Sequence, residues 1–149
     1  MLFKTHLLFG FLCALFGVQF LQPQNQILFV ILAVIGSALP DLDHPNSKLG
    51  RKVKIVAYLF EHRGFTHGLF ILVPLLFFSL YYMQTVNAYA LLIGYVSHIA
   101  IDMLTVEGIM PLHPISKFRL SGFVRTGHVG EYILFGVMLL LSVYKVLLI

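Results

Sequence analysis

Thiols and acids are what this sequence has least of. Of 149 residues one is cysteine, Cys13, six are aspartate or glutamate, and only 11% carry a charge. A lone cysteine excludes an intrachain disulfide and any metal site built from several thiolates. Lying within an apolar run, Cys13 reads as a small core residue. The scarcity of charge excludes an ordinary soluble domain, because 59% hydrophobic residues and a mean hydropathy of +0.92 exceed what a fold of this length can bury. Linkers, low-complexity tracts and obvious repeats are also missing, as is the length for a second domain, so residues 1–149 read as a single integral membrane domain. No HExxH pair occurs, which disfavours an intramembrane metalloprotease.

What is present is apolar sequence in helix-sized pieces. A bilayer core of about 30 Å takes roughly 20 helical residues, and apolar stretches of about that reach run over 5–21, 25–40, 66–83, 88–106 and 131–149. In lipid such stretches must satisfy their own backbone groups. The expected fold is therefore all-α, a polytopic bundle of about five transmembrane helices. The first stretch lacks a convincing cleavage site and is expected to be retained. Basic residues collect in alternate connections: Lys48, Arg51, Lys52, Lys54 and Arg63 in one, Lys117, Arg119 and Arg125 in the other, with Lys4 near the amino end. The opposite connections, QPQNQ and QTVN, have none. Because basic short loops stay inside, the N-terminus and both long connections are expected in the cytoplasm. The segment KVKIVAYLFEH at 52–62 could lie along the membrane surface. The basic residues are dispersed and the aromatics serve the apolar helices, so no nucleic-acid partner is expected.

The few acids and all seven histidines gather in or beside short polar knots, above all ALPDLDHPNSKLG at 38–50, EHRGFTH at 61–67 and SHIAID at 97–102. The charge-derived topology brings these knots to one side of the membrane. His6 starts the first helix; Asp41, Asp43 and His44 follow the second; His62 and His67 bracket the start of the third; His98 and Asp102 occupy the last turns of the fourth; Glu131 opens the fifth. His98 and Asp102, four apart, share one helix face, and an ionisable side chain inside an apolar span is a functional candidate by default. Two carboxylates as close as Asp41 and Asp43 are costly without a cation. Thr66 is a candidate helix N-cap next to His67. Imidazole with carboxylate and no thiolate favours a divalent ion: zinc first, then manganese or iron. The ligands expected are His6, Asp41, His67, His98 and Asp102, with His44, His62 and His128 as further candidates, enough for roughly one to three ions. His113, between Pro111 and Pro114, reads as a surface residue.

LPDLDHPNSKLGR, HRGFTHG, GYVSHIAIDMLTVEG and TGHVGEY together resemble the membrane-bound metal-dependent hydrolases, also described as LexA-regulated inner-membrane hydrolases. The resemblance covers nearly the whole chain and implies a multi-pass protein of a bacterial or archaeal inner membrane. More distantly, the order of ligand-type residues resembles the zinc-dependent phospholipase C and P1 nuclease group. That likeness implies ligand positions at His6, Asp41 or Asp43, His67, His98 with Asp102, and Glu131. The expected function is hydrolysis of a phosphoester in a lipid or lipid-linked substrate at the cytoplasmic face by metal-activated water. Asp43 and Glu131 are the expected catalytic carboxylates, Asp43 as general base or as a residue orienting the ligands. Arg63, Lys117, Arg119 and Arg125 are expected to hold phosphate oxygens. The alternative is a transporter or metal-handling protein using the same His and Asp residues; it requires polar residues to continue into the outer halves of the helices, which are nearly all apolar.

Overall fold

The computed structural model describes residues 1–43, 67–83 and 85–148, with every side chain there except those of Leu42, Asp43 and Leu69. The proposed surface segment at 52–62 lies outside the described residues. The chain forms α1 (Phe3–Leu21), α2 (Gln26–Ala38), a 3-10 turn (Pro40–Asp43), α3 (Leu69–Tyr82), α4 (Thr85–Met103) and α5 (Val129–Val146). Among the described residues there is no strand, only two isolated bridges.

Local chemistry sets the helix ends. α1 closes at Gln22, whose left-handed backbone (φ 45°) returns its N–H to the Val18 carbonyl. The Asn25 side chain accepts the Leu28 N–H at 3.0 Å and starts α2, and Pro40, with no N–H to donate, follows its end. α3 begins after Gly68, its N-cap, so the expected cap at Thr66 gives way to one two residues later and His67 precedes the helix. α4 stops earlier than the hydropathy suggests. Both the N–H and the hydroxyl of Thr105 donate to the Asp102 carbonyl, and the chain then turns to pair with residues 120–124. The amides of Val106 and Val124 donate to the carbonyls of Val124 and Leu104, at 3.0 and 2.9 Å, and Ile109 and Leu120 exchange two bonds of 2.9 Å. Residues 104–128 thus form a folded ribbon between α4 and α5.

The helices differ in reach. α1, α4 and α5, of 19, 19 and 18 residues, are long and apolar enough to cross a membrane. α2 and α3, of 13 and 14 residues, are about 20 Å long at 1.5 Å per residue, shorter than the bilayer core. α2 packs most extensively on α4, α1 lies against both, α5 joins the bundle through α1, and α3 through α4. The α2–α4 crossing depends on two glycines: a Cβ at Gly94 would collide with the Ala33 carbonyl, and one at Gly36 with that of Leu91. Such small-residue crossings let backbones approach where lipid offers no hydrophobic drive for helices to associate. Below the crossing, Ala14, Val18, Phe29, Ala33 and Ala90 form a closed apolar core. At one end of the bundle Lys4 sits over the rings of Tyr132 and Phe135, and at the other Lys145 lies over Phe16 and bonds Gln19, joining α5 to α1 at both ends.

Candidate metal centre

Four elements deliver ligand-type side chains to one place. His6 comes from the first turn of α1, Asp41 from the 3-10 turn behind Pro40, His67 from the residue before the α3 cap, and His98 with Asp102 from the last turns of α4. Asp102 lies at the middle. Its Oδ2 is 3.5 Å from His67 Nε2 and 3.6 Å from His98 Nε2, while its Oδ1 is 3.4 Å from His6 Nε2 and 2.8 Å from the Met1 amino group. His67 Nε2 and His98 Nε2 are 3.2 Å apart, and Asp41 Oδ1 is 3.9 Å from His98 Nε2. The rings of His6 and His98 stack at 3.7 Å, nearly parallel. His6, His67, His98 and Asp102 are buried, and only Asp41, 14% exposed, reaches toward solvent.

The orientation of the His98 ring decides what this nest suits. Its Nδ1 is 2.7 Å from the Ser37 carbonyl, and a carbonyl only accepts, so Nδ1 donates there and Nε2 is the ring nitrogen turned to the nest. Nε2 faces a carboxylate oxygen and a second imidazole nitrogen. A backbone carbonyl taking the far N–H is also how metal-bound histidines are commonly held. The separations agree: a tetrahedral ion with bonds of about 2.0–2.1 Å sets its ligand atoms about 3.3 Å apart, against 3.2, 3.5 and 3.6 Å among His67, His98 and Asp102. His6, Asp41 and His98 make a second convergent set sharing His98. His6 Nδ1 is buried with no hydrogen-bond partner among the described residues, a costly state for a polar atom unless something else binds it. The donors present therefore fit a divalent ion.

Glu131, from the first turn of α5, is fully buried beside this nest. Its Oε1 accepts the Leu2 N–H and the Thr5 hydroxyl, each at 2.7 Å, and its Oε2 accepts the Gly127 N–H at 2.6 Å. The carboxylate thereby ties the start of α1, and with it His6, to the start of α5. Neither Thr5 nor the Ser37 carbonyl is among the residues expected from the sequence. Thr5 adjoins His6, but a threonine in an apolar run is unremarkable, and a backbone acceptor leaves no trace in residue type.

The other expected residues stand apart. Lys117, Arg119 and Arg125 are exposed on the 104–128 ribbon, and Arg119 Nη1 donates to the Glu107 carbonyl. His128 is the exposed N-cap residue of α5, its Nδ1 3.0 Å from the Thr126 carbonyl, and His113 lies half-buried in the ribbon. His44, His62 and Arg63 are outside the described residues, as is the side chain of Asp43.

Comparison with known proteins places this geometry in a family. A family model for the YdjM inner membrane protein matches residues 1–148. The Bacillus subtilis (strain 168) protein YvsG is 32% identical over 147 residues, 95% of this chain and 91% of its own length. The inner membrane protein YdjM of Escherichia coli (strain K12) is 35% identical over 135 residues, 78% of this chain and 68% of its own length, and the Shigella flexneri protein of that name matches equally. No solved structure matches the chain. With the match running through all the described helices and the buried His and Asp nest, the chain belongs to the YdjM inner membrane protein family.

Proposed function

We propose that this protein is a membrane-embedded, metal-dependent hydrolase acting on a phosphoester of a lipid or lipid-linked substrate at the cytoplasmic face. The observation that carries the reading is the His98 ring, held through Nδ1 by the Ser37 carbonyl with its Nε2 directed at Asp102 and His67. A buried carboxylate and two imidazole nitrogens at these separations form a donor set that a divalent cation would hold together, with the Met1 amino group on the other carboxylate oxygen. A divalent ion there supplies Lewis acidity toward a phosphoryl oxygen and lowers the pKa of water. Zinc suits the donor set, and His6 with Asp41 gives room for a second ion.

The protein's own contributions are placement and exclusion. Ser37 holds the His98 ring, Glu131 holds the turn that carries His6, and the Gly36 and Gly94 crossing keeps α2 and α4 in register so that Asp41 faces His98. Glu131, with three donors on its carboxylate, is proposed as a positioning residue, leaving Asp41 as the carboxylate of the nest that reaches toward water among the described residues. The roles of Asp43 as general base and Arg63 as phosphate holder, and the likeness in ligand order to the zinc-dependent phospholipase C group, enter this proposal through the sequence alone. So does the cytoplasmic orientation, from the placement of the basic residues. A transporter needs a polar route onward, and the apolar core of Ala14, Val18, Phe29, Ala33 and Ala90 offers none among the described residues.

The test is elemental analysis of protein purified in detergent, combined with phosphodiester turnover by the wild type and by His98→Ala and Asp102→Ala. The expected result is bound divalent metal in the wild type and turnover reduced by about 100-fold or more in both variants. Wild-type protein without metal, or activity indifferent to both substitutions, refutes the reading.

A further inference from the structure

The expected role of Arg125 at the metal leaves a cleft unaccounted for on the other side of α5. This helix is covered by α1 on one flank and is largely bare on the others: Ile133 is 63% and Val137 48% exposed. The ribbon bends back beside that bare face, with Val124 buried and its N–H on the Leu104 carbonyl, and so sets Phe123, 84% exposed, and Arg125 against the start of α5. Between them is a cleft of about 570 Å³, lined by Leu104, Phe123, Ile133 and Val137 along its length and by Arg125 and His128 at one end.

We propose that this cleft binds one anionic membrane phospholipid, an acyl chain lying along α5 and the phosphate at Arg125. Two observations select that occupant. One apolar wall, Ile133 and Val137, belongs to a helix long and apolar enough to span the membrane, so hydrocarbon is the medium it meets. The single charged group lining the cleft is a guanidinium, which pairs with phosphate through two parallel hydrogen bonds. No described side chain forms an ion pair with Arg125. By contrast, Arg119 donates to the Glu107 carbonyl, and the Glu107 carboxylate takes the Thr126 hydroxyl at 3.1 Å. The stripe from Val129 to Val137 rises about 12 Å, most of the roughly 15 Å depth of one leaflet's hydrocarbon, so polar end and apolar length match a lipid lying upright in the leaflet.

The test uses the full chain in neutral detergent, titrated with phosphatidylglycerol or phosphatidylcholine and read by native mass spectrometry. Wild-type protein is expected to retain one phosphatidylglycerol in preference to phosphatidylcholine. Arg125→Gln should weaken retention of the anionic lipid about fivefold and remove the preference. Val137→Trp, which fills the cleft from its lipid-facing side and leaves the charge in place, should reduce retention of both lipids. Lys117→Gln, which removes a ribbon cation that does not line the cleft, should change little. Equal retention of the two lipids, an effect of Lys117→Gln as large as that of Arg125→Gln, unchanged retention in Val137→Trp, or full displacement by inorganic phosphate would each overturn the proposal. None of these readouts depends on the metal or on hydrolysis, so this site and the hydrolase reading fail separately.

Discussion

The trio α1, α2 and α4 and the outlying α5 are both made of apolar helix, yet they solve different problems. In the trio, backbones approach until glycine is the only residue that fits, and the space so closed holds Thr5, His6, Ser37, His98 and Asp102 away from water. On α5 the apolar residues face outward, and only Glu131, Met138 and Ser142 are buried. Hydrophobicity alone does not separate the two. Small residues at the crossing and polar residues on its inner faces do, because burying a polar group demands a partner whereas facing lipid demands only the absence of one. Tight crossing is thus the means by which these polar side chains are held against one another.

The strongest way to break this contrast is to remove the charge at its centre. Asp102→Ala leaves His6, His67 and His98 facing one another with only Asp41 at the rim as carboxylate, and metal content should fall sharply, checked by elemental analysis, while the helical circular dichroism signal persists. Next comes the crossing itself. Gly94→Val drives a side chain into the Ala33 carbonyl, where neither backbone can yield, and should cost about 3 kcal/mol or more of stability, seen as a large drop in the detergent unfolding midpoint and a parallel loss of metal.

Much of this was legible beforehand, for a definable reason. Helix positions follow from hydropathy, which is local, and the His98–Asp102 pair follows from helical spacing, which is also local. The convergence of His6, Asp41, His67 and His98 was reachable because basic residues fixed which helix ends lie together. What escaped depends on non-local backbone. The Ser37 carbonyl that holds the His98 ring is common to every residue type, and the 104–128 ribbon is held by pairings such as Ile109 with Leu120 that have no periodic signature. The ends of α2 and α3 fall within three residues of the apolar stretches 25–40 and 66–83, because Pro40 and the polar knots beside them are local signals too.

A smaller effect sharpens the boundary between the two regions, since Glu131 belongs to both. Glu131→Gln retains the size of the side chain but swaps one acceptor for an amide facing the donors of Leu2, Thr5 or Gly127. Loss of charge-assisted hydrogen bonds in a buried place should cost about 2 kcal/mol, and because His6 rides on the same turn, metal affinity should fall as well. A stability loss with metal affinity unchanged would show that α5 props the bundle without positioning the ligands. Acid tests the same nest. Imidazoles bind metal only when neutral, so occupancy should decline as the medium is acidified, followed by equilibrium dialysis against zinc.

The smallest expected effect is the mirror of the Gly94 substitution. Gly136 lies on α5 with nothing within 4 Å of where a Cβ would stand, so Gly136→Val places two methyl groups in lipid. Helix propensity slightly favours the change, since glycine costs about 1 kcal/mol relative to alanine in a helix interior and valine less. The unfolding midpoint should therefore hold or rise by a degree or two, with metal content untouched. A loss comparable to that of Gly94→Val would mean that a surface bare in the monomer is covered in the membrane by another copy or another protein. The contrast between a tight trio and a free α5 would then describe one subunit of a larger bundle, in which α5 has a packing face of its own.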